Sequence, residues 1–475
     1  MTSRLPLCLA LVIGHLIPPL LAEQQPAPTT SLAGDEGSRP PHVVVISIDG
    51  LMPSVYTQPG PSRVPALRRL AQQGAWAEGV VGVLPSVTYP SHTSIVTGVP
   101  PAAHGVYNNR ILDAARESGS AWYWHARDVR VPTLPGAVRS RGLSAAAVSW
   151  PVTVDADLDV LLPEYGRPYT ETLDLLRALS RPRRLLDTYE AARGEPLGWP
   201  LTDGDRMGLA AWIFRTYRPQ LLLVHIFEND SAHHEFGPGS PQALAALEAS
   251  DAHVSLMLDA VADAGLSDRT NVVIVSDHGF IRYGRQLHPN AAFRQEALLD
   301  VDLTGAVTRW DAYFQGAGGS GFVYLRARDD AGLRARVEAI LQRLAANPAN
   351  GIRQVLEKDR LRELGADPRA SFALDMQPGF ATGDGHDALV TASTSAAGHG
   401  YHPAREEMYA SLIMAGPDVP RTGSLGVVRM TQVAPTIASW FGVGLSPGAD
   451  EPLSFGPAVP QGGADALGTR PSVVD

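Results

Sequence analysis

The chain has 475 residues and a formal net charge of −10, and hydrophobic residues make up 44 % of it. This balance excludes a wholly disordered chain. Its acidity argues against a protein that coats or digests long nucleic acid, which needs a basic face. A small anionic substrate stays compatible with the acidic chain if a metal ion supplies local positive charge.

The first 22 residues predict a secretory signal peptide. Arg4 precedes a largely apolar run, Leu5–Leu21, and Ala22 stands before Glu23. A membrane anchor is the weaker alternative, because His15 and two prolines interrupt a run that is already short against the ~20 residues of a bilayer span. We therefore predict an exported protein, periplasmic or secreted, with no stable membrane anchor in its mature form.

Residues 23–40 are rich in Pro, Gly, Ser and Thr, which predicts a flexible leader before the fold. We expect the catalytic domain to span residues 41–445 and a C-terminal tail to span 446–475. Cys8 is the only cysteine, so the mature chain would have no disulfide, thiolate metal site or cysteine nucleophile. Any metal would be held by His, Asp, Glu or hydroxyl groups.

Apolar strand patterns alternate with helical patterns along the chain. The predicted elements, in chain order, are strand Val43–Ile48, helix Val64–Gln73, helix Pro90–Thr97, strand Leu143–Ser149, strand Leu221–Ile226, helix Pro241–Ala264, strand Val272–Ser276, helix Leu333–Leu344, strand Tyr409–Met414 and helix Thr431–Phe441. This alternation predicts an α/β fold with a largely parallel sheet and helices on both faces. Weaker periodicity over about 155–200 and 280–385 indicates insertions that form a cap or substrate-facing subdomain.

Several of the predicted strands run into acidic residues. Asp49 ends the first strand, Asp230 comes shortly after Leu221–Ile226, and Asp277 with His278 ends the strand after that. Because sites in open α/β sheets lie at the carboxyl ends of the strands, these side chains can converge. Asp and His sets without cysteine suit zinc or a similar divalent ion.

Two further histidines extend this set. Asp230 and His234 are four residues apart, so a helical turn would put both on one face. His399 lies between two glycines just before the last predicted strand. The alternative for each is ordinary: an Asp after a strand often caps a turn, and His399 could be a loop histidine. Several carboxylates at one sheet edge without a cation would nevertheless be costly.

Thr88 stands two residues before Pro90 at a predicted helix N-terminus. Backbone N–H groups and the helix dipole favour an anion there. A threonine at this position can act as a nucleophile if a metal lowers its pKa. The alternative is that Thr88 merely caps the helix.

Together these segments resemble the type I phosphodiesterase/nucleotide pyrophosphatase family of the alkaline phosphatase superfamily. The motifs occur in the family's order: Ile-Asp-Gly at Asp49, Thr-x-Pro-x-His from Thr88, His-Gly-x-x-x-Asn from His104, Asp-x-x-x-His from Asp230, Ser-Asp-His-Gly at Asp277 and His-Gly-Tyr at His399. The resemblance covers residues 42–445 and implies an alkaline-phosphatase-like fold.

The resemblance also implies two zinc ions, although other divalent ions are possible. The implied ligands are Asp230, His234 and His399 for one ion, and Asp49, Asp277, His278 and the Thr88 hydroxyl for the other. His233 and His402 are neighbouring alternatives, and the spacing to Gly237-Pro238 favours His234. Asn109 matches the phosphate-binding asparagine, and Asn108 is the alternative beside it.

In the resembled family the threonine attacks phosphorus, and water releases the covalent phosphothreonine. The resemblance therefore implies a hydrolase of phosphodiester or pyrophosphate bonds in small, nucleotide-like phosphate esters. Ser91 replaces a common Asn of the nucleophile motif, which we expect to be tolerated. Trp122, Tyr123 and Trp124 could stack on a base or belong to the core. Trp150-Pro151 resembles the family's substrate-side loop.

Several rival functions stay open. A phosphomonoesterase, or a phospholipid or phosphonate hydrolase, would use the same two-metal core. A sulfatase is disfavoured because Thr88 is neither Cys nor Ser and His92 stands where Arg is expected. A non-catalytic exported binding protein would have lost a ligand or the nucleophile, and every expected position is filled here.

Overall fold

The computed structural model describes residues 40–113, 121–166 and 172–456. The predicted signal peptide, all of the predicted leader but its last residue, and residues 457–475 of the predicted tail lie outside the described residues. All of the described residues belong to one compact unit that begins at Pro40. No helix in these three ranges is long and apolar enough to cross a membrane.

Twenty strands occur in the described parts of the chain. They are β1 His42–Ile48, β2 Ala75–Trp76, β3 Gly79–Val81, β4 Ala145–Val148, β5 Val160–Leu162, β6 Leu221–Ile226, β7 Thr270–Val275, β8 Ile281–Leu287, β9 Leu299–Val301, β10 Val307–Trp310, β11 Ala312–Gly316, β12 Ser320–Leu325, β13 Ile352–Glu357, β14 Phe372–Met376, β15 Gly379–Thr382, β16 Val390–Ala392, β17 Ala397–Gly398, β18 Leu412–Ala415, β19 Gly423–Ser424 and β20 Val427–Arg429.

Fourteen α-helices occur in the same ranges. They are α1 Ser54–Thr57, α2 Pro65–Gln73, α3 Thr88–Thr97, α4 Pro101–His104, α5 Leu134–Ser140, α6 Leu173–Leu179, α7 Leu185–Arg193, α8 Asp203–Tyr217, α9 Glu228–Phe236, α10 Pro241–Asp263, α11 Pro289–Gln295, α12 Ala331–Ala346, α13 Lys358–Glu363 and α14 Val433–Phe441.

The central sheet has eight strands in the order β19-β2-β18-β7-β1-β6-β4-β5. From β7 to β5 every pair is parallel, while β18 is antiparallel to both β7 and β2. β1 lies in the middle and all seven of its residues are buried. The predicted α/β fold with a largely parallel sheet is therefore confirmed.

Two apolar layers cover the sheet because side chains of a strand point alternately to its two faces. Val44, Ile46 and Ile48 pack on one face among residues of α2, α8 and α10. Val43 and Val45 pack on the other face among residues of α3, α5 and α14. Because helices cover both faces of the sheet, polar side chains can gather only at the ends of its strands.

A second, antiparallel sheet follows the central strands in the chain. β11, β12, β14 and β13 pair in that order, and α12 packs on them through Val337, Ile340 and Leu341. The segment of about 280–385, predicted as an insertion, contains this sheet and its own apolar cluster.

The C-terminal part of the described chain differs in two details from the sequence prediction. The late strand begins at Leu412 rather than Tyr409, because a short 3-10 turn, Glu406–Met408, precedes it. The described part of the predicted tail packs on the fold: Leu453 is buried, and its N–H donates to the Thr436 hydroxyl of α14 at 2.8 Å.

Candidate active site

The site is built at the carboxyl ends of three adjacent strands. β1 pairs in parallel with β6 and β7, so that Ile48 lies beside Ile226 and Ser47 lies beside Val275. The residues that follow, Asp49, the start of α9 and Asp277, therefore emerge at one edge. The side chain of Asn229 donates to the Asp49 carbonyl at 2.8 Å and ties α9 to the end of β1.

One group of ligand-type side chains consists of Asp230, His234 and His399. Asp230 Oδ1 lies 3.5 Å from His234 Nε2 and 3.8 Å from His399 Nε2. The Nδ1 atoms of these rings lie 2.9 Å from the Ala397 carbonyl and 3.2 Å from the Ser86 carbonyl. Because a carbonyl only accepts, each Nδ1 donates, which leaves both Nε2 lone pairs facing Asp230 as a metal would require.

A second group lies deeper and contains Asp49, Asp277 and His278. His278 Nε2 is 3.1 Å from Asp277 Oδ2 and 3.4 Å from Asp49 Oδ1, and all three side chains are buried. The Gly50 N–H donates to Asp277 Oδ1 at 3.1 Å. The ligand atoms of Asp49, Asp230 and His278 all lie within 4.8 Å of one another, so Asp230 stands between the two groups.

The inward-facing atoms of these groups are buried and make no hydrogen bond. They are Asp49 Oδ1, Asp230 Oδ1, Asp277 Oδ2 and both ring nitrogens of His278. Each buried polar atom without a partner lowers the free energy of unfolding by about 1–3 kcal/mol, and by more when the group is charged. A divalent cation is the partner that would satisfy the three carboxylate oxygens and Nε2 of His278, and this oxygen and nitrogen set, without sulfur, suits zinc.

The pKa shifts of these side chains also indicate a need for positive charge at the centre of the site. Burial, then the neighbouring Asp277 and Asp230, raises the pKa of Asp49 well above its usual range. Burial also raises the pKa of Asp230. Burial opposes charge on His278, but Asp277 outweighs it and raises the pKa of His278 to about 9. A bound cation would supply the positive charge that the proton on His278 supplies in its absence.

Thr88 is the first residue of α3, whose other nine residues are all buried. The N-cap is Val87, and no side chain caps the helix. Thr88 therefore does not have the capping role considered above, and it lines the site cavity. His92, one turn later, donates from Nδ1 to the Thr88 carbonyl at 2.8 Å and accepts from the Ser47 hydroxyl at 2.8 Å. Burial, then His225, lowers the pKa of His92 to about 4, so this support stays neutral.

The two candidate asparagines have different surroundings. Asn109 lines the cavity, and its Oδ1 accepts from the Tyr89 N–H at 2.9 Å, so the amide nitrogen is the group that it can offer to a ligand. Asn108 is buried, and it donates to the Gly316 carbonyl at 3.1 Å. The geometry favours Asn109 as the residue that faces a substrate.

The neighbouring histidines are also distinguished. His233 is buried among residues that line a different, smaller cavity behind α9. His402 accepts from the Ala404 N–H at 3.2 Å. Neither belongs to the two groups of ligand-type side chains found in the described residues.

A cavity of about 670 Å³ opens onto these groups. Trp122 and Trp124 form one wall, with ring centroids 5.4 Å apart and planes 14° from parallel, and Tyr165 packs against Trp124. Tyr123 is instead buried in a small cluster with Tyr89. The two tryptophans are thus placed to contact a substrate, and the tyrosine between them is core.

Trp150 is placed differently. It is fully buried, it meets His92 edge-on at 5.0 Å, and together with Pro151 it lines a separate cavity of about 500 Å³. Ser149, the residue before it, lines the site cavity. Trp150 therefore supports α3 from behind and does not line the site cavity.

The sequence reasoning assigned no role to His225, which the structure places inside the site. His225 lies 3.0 Å from Asp49 Oδ2 through Nε2 and 2.9 Å from Glu164 Oε2 through Nδ1. Burial opposes charge on this ring, but the hydrogen bonds to Asp49 and Glu164 outweigh it and raise its pKa well above the usual range. The one available signal was a histidine inside the otherwise apolar run Leu221–Ile226.

Comparison with known proteins identifies the family. The sequence pattern described as type I phosphodiesterase / nucleotide pyrophosphatase matches residues 43–379. The chain belongs to this family. The match covers all three strand ends of the site and the whole second sheet, and it confirms the resemblance inferred from the ordered motifs.

Relatives and solved structures agree with this assignment. Ectonucleotide pyrophosphatase/phosphodiesterase family member 3 of Rattus norvegicus is 24 % identical over 254 residues, which are 51 % of this chain and 25 % of that protein. Venom phosphodiesterase of Macrovipera lebetinus is 24 % identical over 252 residues, again 25 % of its length. The aligned part thus spans about a quarter of these curated relatives.

The fold comparison covers more of the chain. The structure of human ectonucleotide pyrophosphatase/phosphodiesterase 5 aligns with a TM-score of 0.61 at 18 % identity, over 86 % of this chain and 96 % of that one. An inactive variant of the murine protein, in complex with AMP, aligns with a TM-score of 0.60 at 18 % identity over 87 % and 98 %. At this identity the likeness establishes the fold, which is that of the family.

Proposed function

We propose that the protein is an exported, metal-dependent hydrolase that cleaves phosphodiester or pyrophosphate bonds of small, nucleotide-like substrates through a phosphothreonine intermediate. The observation that carries the proposal is the set of buried, unpartnered ligand atoms beside Thr88. Family membership supports the class of reaction. Export rests on the sequence of the first 22 residues alone.

The side chains fit two divalent ions, for which zinc is the best candidate. One ion would be held by Asp230, His234 and His399, and the other by Asp49, Asp277, His278 and the Thr88 hydroxyl. When bound, the ions would lower the pKa of that hydroxyl and stabilise charge on the attacking and leaving oxygens. Asp277 and His278 are shielded from solvent, while Asp49, Thr88 and the first set line the cavity.

Thr88 is the nucleophile in this proposal. Its oxygen attacks phosphorus and the ester oxygen leaves, which gives a phosphothreonine. Attack by water on the same phosphorus then breaks the bond to Thr88 and restores the hydroxyl. The helix dipole at the start of α3 favours an anionic phosphoryl group, and Asn109 would donate to a non-bridging oxygen.

The remaining part of the cavity favours a planar group on the substrate. Trp122, Trp124 and Tyr165 offer ring faces beside the site, and aromatic rings stack on bases without needing a particular sequence. The AMP complex of the murine neighbour supports a nucleotide-like ligand. The acidity of the chain argues against long nucleic-acid polymers.

A diester is favoured over a monoester by the charge of the cavity. Among the described residues that line it, Arg206 is the one Arg or Lys. Its Nη1 already donates to the Leu201 carbonyl at 2.7 Å, and its guanidinium stacks 4.0 Å from the Phe227 ring. Among the described lining residues, no Arg or Lys is therefore left free to bind the extra charge of a monoester.

The test uses the mature protein loaded with zinc. kcat/KM is measured for bis-p-nitrophenyl phosphate, the p-nitrophenyl ester of thymidine 5′-monophosphate and p-nitrophenyl phosphate, with a chelator control. We expect chelator-sensitive turnover with the diesters preferred and the nucleotide ester best. A preference for the monoester would make the protein a phosphatase. No chelator-sensitive turnover of any ester would contradict the proposed function.

A further inference from the structure

His225, which is buried, and Glu164, which is half-buried, form a chain of contacts behind Asp49. His225 lies on β6, one residue before that strand ends, and its side chain is 1 % exposed. Nε2 lies 3.0 Å from Asp49 Oδ2, while Nδ1 lies 2.9 Å from Glu164 Oε2 and 3.2 Å from the Ser149 carbonyl. These neighbours are all acceptor oxygens, so both ring nitrogens donate.

The second carboxylate of the chain is itself held. Glu164 follows β5, and its Oε1 accepts from the Tyr89 hydroxyl at 2.7 Å. Tyr89 is the residue after Thr88, and its ring packs against Trp122 and Trp124. Glu164, which orients His225, is therefore hydrogen-bonded to α3, the helix that begins with Thr88.

The contact to Asp49 is selective for one oxygen. Oδ2 is occupied by His225, whereas Oδ1 has no hydrogen-bond partner and faces His278 at 3.4 Å. A free carboxylate can rotate and can bind a cation through either oxygen or both. With Oδ2 held by His225, only Oδ1 is offered to the centre of the site.

We propose that His225 and Glu164 are positioning residues of the metal site: His225 fixes Asp49 so that a single oxygen is presented to the cation, and Glu164 fixes His225. The inference deepens the proposed function and rests on its metal site. Partners behind metal ligands of this kind change metal affinity by about 10–100-fold when they are removed.

Two variants separate this role from simple packing. In His225→Gln the amide nitrogen replaces Nε2, so a donor toward Asp49 is kept. In His225→Asn the amide replaces Nδ1, so the donor toward Asp49 is lost while one toward Glu164 remains. Both variants lose the ring and its packing against His92, which lies 4.4 Å away between centroids.

Zinc affinity is measured by competition with a chromophoric chelator, and the unfolding temperature is measured without metal. We expect His225→Asn to bind zinc about 10–100-fold more weakly than the wild type, and His225→Gln to stay within a few-fold. Glu164→Gln, which keeps the shape but removes the charge that holds His225, should fall between them. His42→Gln changes a buried histidine at the opposite end of β1 and should leave zinc affinity unchanged.

The outcomes distinguish the two proposals because zinc binding is read without turnover. Equal zinc affinity in the Asn and Gln variants, whether normal or equally weakened, overturns the positioning role. If the variants differ as expected but the wild type hydrolyses none of the esters, the proposed activity fails and the positioning role stands. A wild-type chain that binds no zinc overturns both.

Discussion

At the scale of single residues, the site depends on which atoms are left without partners. Val87 takes the N-cap position, so the Thr88 hydroxyl is not used by the helix. His225 occupies one oxygen of Asp49, and Gly50 occupies one oxygen of Asp277. Each carboxylate therefore keeps one buried oxygen for a cation.

Replacing Thr88 with alanine should abolish turnover, because the group that attacks phosphorus is removed. Folding and most of the zinc binding should persist, since four of the six other proposed ligands are held by hydrogen bonds of their own: Asp49, His234, Asp277 and His399. kcat, zinc content and the unfolding temperature are measured together. Full activity in Thr88→Ala would exclude the phosphothreonine mechanism.

Replacing Asn109 with alanine should lower kcat by about 10²–10³-fold, the usual effect of losing one donor to a developing negative charge. KM should change much less, because the aromatic wall still binds the substrate. Steady-state kinetics with the nucleotide ester separate the two parameters. An unchanged kcat would show that Asn109 does not contact the reacting phosphoryl group.

At the scale of elements, α3 must be held rigidly because its first residue carries the chemistry. His104, at the end of α4, donates from Nε2 to the Ser94 hydroxyl of α3 at 3.0 Å and accepts from the Val106 N–H at 3.1 Å. The bond at Nδ1 requires the neutral ring, because a protonated Nδ1 cannot accept. Burial lowers the pKa of His104 to about 3.

The free energy of unfolding should therefore fall as the pH is lowered through and below about 6.5. In that range the unfolded chain binds a proton on His104, whereas the folded chain does so only near pH 3. This single site contributes a slope of up to about 1.4 kcal/mol per pH unit. Urea unfolding of metal-free protein at pH 7, 6 and 5 measures it.

His104→Asn provides the control for that slope. The amide oxygen can still accept from Val106, but it does not titrate in this range, so the pH dependence should be shallower by about one proton. The same slope in wild type and variant would assign the acid sensitivity to other groups.

At the scale of the whole molecule, strands distant in the chain bring like charges together in a protein whose net charge is already −10. Asp49, Asp230 and Asp277 follow three different strands; Asp49 and Asp277 are buried and Asp230 is half-buried, so water screens their charges poorly. The metal-free fold thus carries an electrostatic cost that binding of a cation removes.

Removing the metal should lower the unfolding temperature, and adding zinc should restore it. A ligand that binds only the folded state at 1,000 times its Kd stabilises by about 4 kcal/mol. Differential scanning calorimetry with chelator and with added zinc measures the shift. Asp230→Asn, which removes a charge shared by both ligand groups, should reduce the zinc-dependent shift. A zinc-independent unfolding temperature would contradict the metal site.

The sequence by itself determined the α/β class, the family and the order of the motifs. Continuous β-branched runs and amphipathic periods are local patterns, so the bounds of β6 and α10 agree with the sequence prediction to within one residue. The residue types around Asp49 and Asp277 indicated a metal site, and the resemblance of the ordered motifs to the family implied the full set of candidate ligands. Their roles as ligands and nucleophile stay predictions for the measurements above.

Only the tertiary structure decided which of the neighbouring candidates face the site. Asn109 rather than Asn108 lines the cavity, Trp150 supports α3 from behind, and the described start of the tail is packed on α14. It also revealed His225 and Glu164, which are 61 residues apart in the chain. The physical reason is that such contacts depend on the register of parallel strands, which pairs residues far apart in sequence and leaves no local pattern.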